Sequence, residues 1–148
     1  MTTLAPDVDL TQATWLPICQ LSDLTPERGA PAIIPDGEAN GSPVRVQIAV
    51  FRLLADEVVT VAHLDPVTGS NVMARGLVGT RRIDDAEVPT LASPLHKQVY
   101  ALRTGECLDL AGKVALEGEA VLRTWPTRVR DGVVEVALLS SAGEVKAA

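Results

Sequence analysis

The feature that most constrains this chain is a period of two. Val44, Val46, Ile48 and Val50 alternate with Arg45, Gln47 and Ala49, the spacing of a strand that turns one face to a core. Shorter apolar runs at residues 15–21, 30–34, 58–64, 72–78, 88–92 and 98–102 carry the strand reading along the chain. Gly- and Pro-bearing turns separate them, and no segment shows a helical apolar stripe of the length globular helices have. Residues 127–136 read as a β-hairpin, because Asp131-Gly132 sits between two alternating runs, the pair that best favours a two-residue turn between strands. The expectation is an all-β antiparallel sandwich or small barrel.

Composition agrees. The 148 residues suit one domain. Only four are aromatic, Trp15, Phe51, Tyr100 and Trp125, against an apolar fraction of 47%, so the core must be aliphatic. Residues 1–13 read as a flexible leader, residues 14–139 as the domain and residues 140–148 as a tail. Residues 35–43, dense in Gly, Pro, Asn and Ser, read as a hairpin loop. Residues 79–86 are charged and read as solvated, and residues 110–120 are poorly defined.

A net charge of −6 disfavours nucleic acid, whose phosphates need clustered Lys and Arg, and disfavours an anionic membrane surface. No apolar run approaches the ~18 residues that would span a bilayer as a helix. The first ten residues carry Asp7 and Asp9 and do not read as a secretory signal. Cys19 and Cys107 are too few for a disulfide framework and form no metal motif; they read as one thiol in an early strand and one in a late turn. The expected compartment is the cytoplasm.

Two loops carry the functional reading. One is Asp65-Pro66-Val67-Thr68-Gly69, after a strand. The other is Ser93-Pro94-Leu95-His96-Lys97, followed by Gln98-Val99-Tyr100-Ala101-Leu102-Arg103-Thr104-Gly105. In order and spacing they resemble the C-P-H-x-G and C-P-x-H-G loops of Rieske domains. The closing segment Trp125-Pro126-Thr127-Arg128-Val129-Arg130-Asp131-Gly132 is similar to that family's final hairpin. A Rieske [2Fe–2S] centre takes two thiolates and two imidazoles. By this resemblance the four ligand positions are Asp65, Val67, Ser93 and His96, so three of four ligands are absent and no cluster is expected here.

The same departures resemble the small, non-catalytic subunit of NAD(P)H-dependent nitrite reductases. That family shows D-P-F and S-P-x-x-K-Q at these loops. Asn71-Val72-Met73-Ala74-Arg75-Gly76-Leu77-Val78-Gly79 is similar to its N-V-L-S-R-G-I-V-G. Leu24-Thr25-Pro26-Glu27-Arg28-Gly29 and Arg103-Thr104-Gly105-Glu106-Cys107-Leu108-Asp109 fit its pattern too. Val67 departs from the usual Phe, residues 36–43 are longer than usual, and residues 114–122 match poorly. The resemblance implies an accessory chain of an oxidoreductase complex that converts nitrite to ammonium in nitrate assimilation. It implies a large subunit holding FAD, an iron–sulfur cluster and sirohaem, and no cofactor in this chain. Pro66, Pro94, Leu95, Lys97 and Gln98 are then candidate contacts with the large subunit.

Other readings stay open. A stand-alone ferredoxin-type carrier conflicts with the missing ligands. A general interaction module on a cluster-less scaffold, serving another oxidoreductase partner, does not, since fold alone does not give function. His96 reads as a relic ligand, a partner contact or, by preference, an exposed or structural histidine. His63, Asp65 and His96 form the one set that could hold a mononuclear iron. Arg75, Arg81 and Arg82 read as a solvated group that could alternatively meet an acidic partner. No nucleophile–base pair or phosphate-cradling loop is present, and Glu117 and Glu119 face no evident partner, so the chain does not read as a catalyst by itself.

Overall fold

The structure is a computed structural model and describes residues 10–138; most of the expected leader, the last residue of the expected domain and the whole of the expected tail lie outside the described residues. Eleven strands are described: β1 (Thr14–Gln20), β2 (Gly29–Ala39), β3 (Ser42–Arg52), β4 (Val58–Ala62), β5 (Leu77–Ile83), β6 (Ala86–Ala92), β7 (Val99–Ala101), β8 (Cys107–Asp109), β9 (Thr124–Trp125), β10 (Thr127–Arg130) and β11 (Val133–Leu138). They form three antiparallel sheets, ordered β1-β11-β10, β2-β3-β4-β9 and β5-β6-β7-β8. Only short 3-10 turns interrupt them. Among the described residues no helix is long and apolar enough to cross a membrane.

The sheet β2-β3-β4-β9 lies in the middle. Because side chains alternate along a strand, β3 serves two cores. Ile48 and Val50 pack with Leu24, Ile34, Val58, Trp125, Val134 and Val136 toward β10 and β11. Ala49 and Phe51 face the other way, onto Met73, Leu91, Tyr100 and Leu102. The sequence period predicted one buried face. It holds for Val46 between exposed Arg45 and Gln47, but from Ile48 onward both faces are covered.

Three local expectations are corrected. Residues 35–43 are not a loop: β2 runs to Ala39, and the turn is only Asn40-Gly41, with φ of 53° and 78°. Pro31 and Pro35 are tolerated because β2 is an edge strand bonded to β3 alone. Residues 72–78 are not one strand. Met73–Arg75 is a 3-10 turn, because the Val72 and Met73 N–H groups both donate to the His63 carbonyl (2.9 and 3.0 Å) and Met73 fills the core. Cys107 lies in β8 rather than a turn. Of residues 79–86, all but Gly79 are exposed as expected, but as the paired ends of β5 and β6. The Asp131-Gly132 hairpin forms as read, with φ of 52° and 78°.

Candidate functional site

The two loops lie at the end of β4 and between β6 and β7, and they are built alike. In each, the first residue's N–H donates to the carbonyl of the sixth: Asp65 to Ser70 (2.8 Å) and Ser93 to Gln98 (2.9 Å). The fifth residue's N–H donates back to the first: Gly69 to Asp65 (2.8 Å) and Lys97 to Ser93 (3.1 Å). The third residue's N–H is taken by the first residue's side chain: Val67 by Asp65 Oδ1 (2.8 Å) and Leu95 by Ser93 Oγ (3.3 Å). Proline stands second in both, fixing φ for the turn, and the fifth residue is left-handed, at +76° in Gly69 and +64° in Lys97.

The loops meet at their first residues. Ser93 Oγ donates to Asp65 Oδ2 at 2.6 Å, and Gln98 Nε2 donates to Asp65 Oδ1 at 2.7 Å. The Thr68 N–H adds a longer contact to Oδ1 at 3.4 Å. Asp65, Ser93 and Gln98 are 0, 1 and 0% exposed. A carboxylate in a dry interior requires such compensation. Beside it, the buried Tyr100 hydroxyl and Gln98 Oε1 make no well-formed hydrogen bond, though the Gln98 amide lies near the phenol. Burial pushes the Tyr100 phenol up to about 12, partly offset by the nearby Gln98 amide.

The residues at the four positions do not fit a two-iron cluster. Val67 offers no donor atom, and Asp65 and Ser93 turn their oxygens to each other. The fourth residue, His96, is exposed. The set His63, Asp65 and His96 is not brought together. His63 is buried, with Nδ1 accepting the Ala74 N–H at 3.0 Å. Among the described residues no three His, Cys, Asp or Glu side chains gather as metal donors. Pro94, Leu95 and Lys97 are exposed and Pro66 is half-buried, but Gln98 is wholly inside. Gln98 therefore shapes the loops and cannot touch a partner directly. The sequence reading missed this role, although a Gln opening an apolar strand was a usable signal.

Residues 110–120, undefined in sequence, flank the first loop: the Leu116 N–H donates to the Pro66 carbonyl at 2.9 Å. Leu64, Pro66, Leu116 and Val121 line an open cleft of about 500 Å³ there, and Leu64, Leu95 and Leu116 are 46, 48 and 66% exposed. A cleft of about 610 Å³ between β8 and residues 114–121 includes half-buried Cys107. Burial raises the Cys107 and Cys19 thiols, which keeps both protonated and unreactive near neutral pH.

Two predictions arise from this geometry. Burial, then the Arg75 charge, lowers the His63 pKa below 6.5. The unfolded chain then binds more protons than the native one just below pH 6.5, so stability falls as the pH drops from 6.5 toward the folded pKa. Urea midpoints at pH 7.5 and 5.5 should show that loss, and His63→Gln should reduce it. Lys97 holds a conformation that costs an L-residue roughly 1–2 kcal/mol, whereas its counterpart in the first loop is glycine. Lys97→Gly should therefore raise stability by about 0.5–1 kcal/mol after the added unfolded-chain entropy, read as a higher melting temperature.

Three antiparallel sheets closing on a pair of matched, proline-bearing loops define the class, and the chain belongs to the family of Rieske-like [2Fe-2S] domains, whose profile matches residues 14–137. Within that class its similarity is to nitrite reductase small subunits. The nitrite reductase (NADH) small subunit of Escherichia coli (strain K12) is 31% identical over 123 residues, 82% of this chain and 95% of that protein. The solution structure of the E. coli protein NirD superposes with a TM-score of 0.61 at 28% identity, covering 85% of this chain and 97% of that one. The nitrite reductase [NAD(P)H] large subunit of Klebsiella oxytoca is 35% identical over 122 residues, 82% of this chain but 11% of that protein.

Proposed function

We propose that this chain is the non-catalytic small subunit of a cytoplasmic NAD(P)H nitrite reductase, docking on the large subunit through the exposed parts of its two matched loops. One observation carries the reading. The K. oxytoca polypeptide named the nitrite reductase [NAD(P)H] large subunit itself contains a stretch similar to this chain, and covalent linkage of that kind holds two units at high effective concentration. The large subunit would hold FAD, an iron–sulfur cluster and sirohaem and reduce nitrite to ammonium for nitrate assimilation. This chain would carry no cluster and transfer no electrons. Pro66, Pro94, Leu95 and Lys97 are its candidate contacts, placed on loops that a rigid scaffold presents.

The test is co-expression with the large subunit of the same host. The expected result is one co-eluting complex whose NAD(P)H-dependent nitrite reduction falls when this chain is omitted. Leu95→Glu with Lys97→Glu should weaken the complex at least tenfold while leaving the fold intact. The isolated chain should be colourless. A brown protein with two irons per chain would replace this reading with that of an electron carrier. Full activity of the large subunit alone, with no complex, would leave a scaffold serving some other partner.

A further inference from the structure

In a Rieske centre, ligands from two loops grip one cluster, and the metal thereby joins the loops. Here the backbone bonds close each loop on itself: Asp65 with Ser70 and Gly69, Ser93 with Gln98 and Lys97. Among the described residues, the hydrogen bonds that join one loop to the other both end on Asp65, from Ser93 Oγ and Gln98 Nε2. We propose that the Asp65 carboxylate is the fastener that replaces the metal, and that Asp65, Ser93 and Gln98 are positioning residues that fix the docking loops relative to each other.

Three observations support this beyond the absence of thiols. First, the oxygens occupy the first position of each of two matched turns, the places where the resemblance puts the sulfur ligands, and they lie 2.6 Å apart. The exchange of cysteine for Asp65 and Ser93 therefore supplies a bond of its own. Second, the hub is wholly buried and has no ion-pair partner among the described residues. Its charge is balanced by donors alone, so each donor matters. Third, the Tyr100 hydroxyl and Gln98 Oε1 beside it make no well-formed hydrogen bond, although Gln98 lies close enough to act on the phenol. That corner is loosely satisfied, whereas the two contacts that join the loops are short and direct, at 2.6 and 2.7 Å. A fastener of this kind needs no metal supply, yet it holds only while both partners are present.

The test uses the full chain with Ser93→Ala and Gln98→Met, which leave Asp65 in place. Amide exchange is followed in residues 65–70, in residues 93–98 and in β3. Exchange in residues 65–70, which neither substitution touches, should quicken at least tenfold while β3 is unchanged. Asp65→Asn, which keeps one acceptor for Gln98 and can donate to Ser93 Oγ, should quicken it less. Unchanged exchange in residues 65–70, or quickening everywhere in step with global stability, overturns the proposal. The docking consequence rests on the function proposed above and is read separately. At a temperature where every variant is folded, affinity for the large subunit should fall at least tenfold in Ser93→Ala. Coupled loops in a chain whose wild type does not bind the large subunit would keep the fastener and sink the docking reading. Coupled loops with unchanged affinity would remove the positioning role.

Discussion

Gly105→Ala should leave little or no folded protein. Gly105 closes the turn after β7, with φ at +79°, and a Cβ built there would stand 1.8 Å from the Leu122 carbonyl oxygen and 2.9 Å from its carbon. Those are backbone atoms, so no rotamer change relieves the overlap. The turn also cannot move away. The Gly105 N–H donates to Ala101 at 2.7 Å, and the Leu122 N–H donates to the Gly105 carbonyl at 2.9 Å. Leu122 itself is 2% exposed in the core shared by Phe51 and Tyr100. Separating the two segments loses hydrogen bonds and opens that core, for a loss of about 4 kcal/mol or more. That compares with ~5–15 kcal/mol for the whole stability of a domain. Gly37 and Gly112 make the control: both have φ near +78° with nothing within 4 Å of a built Cβ. Alanine there meets only the backbone term, about 1 kcal/mol. Soluble yield and the circular-dichroism melt of the three variants should separate steric overlap from left-handed strain.

The sequence made strands legible wherever the signal was local. The alternation in β3 and the Asp131-Gly132 turn need only neighbours in the chain, and both formed. Residues 35–43 were misread because Pro and Gly were weighed as loop formers. Whether a strand tolerates Pro31 and Pro35 depends on lying at a sheet edge, which is a fact of pairing and not of composition. The Met73–Arg75 turn failed for a similar reason: the carbonyl of His63, ten residues back, takes the N–H groups a strand would have used.

The site was legible in outline. Both loops stand out by their turn residues and by resemblance to the cluster loops, and the family resemblance was recovered. What the sequence did not disclose was contact across the 28 and 33 residues that separate Asp65 from Ser93 and Gln98. Gln98 therefore reads from sequence as a candidate partner contact or simply as the start of a strand. The likeness of Asp65-Pro66-Val67-Thr68-Gly69 to Ser93-Pro94-Leu95-His96-Lys97 was within reach, because both place a short acceptor first and proline second. It is obscured by Lys97, a residue that sequence gives no reason to place at positive φ.

Asp65→Ala is expected to lower stability by about 3–5 kcal/mol, and the size depends on a competition. Removing a buried carboxylate relieves its desolvation penalty, which favours the variant. It also strands the Ser93 hydroxyl, the Gln98 amide and the Val67 N–H, three donors that now face alanine. Each buried donor left unpaired costs roughly 1–3 kcal/mol, and the space left is too enclosed for free solvation, since Ser93 and Gln98 are at most 1% exposed. The stranded donors outweigh the relief because Asp65 is balanced by these groups and not by a cation whose own burial would also be at issue. The same balance has an opposite consequence when all the polar partners are removed together. Replacing the hub as a whole by apolar groups, with Asp65→Leu, Ser93→Ala and Gln98→Leu together, strands the Val67, Thr68 and Leu95 N–H groups of the loops but no buried side-chain donor of the hub. That triple variant should recover at least half of the loss in urea unfolding. A triple variant less stable than the single one would mean that the polar bonds contribute net stability of their own, beyond satisfying one another.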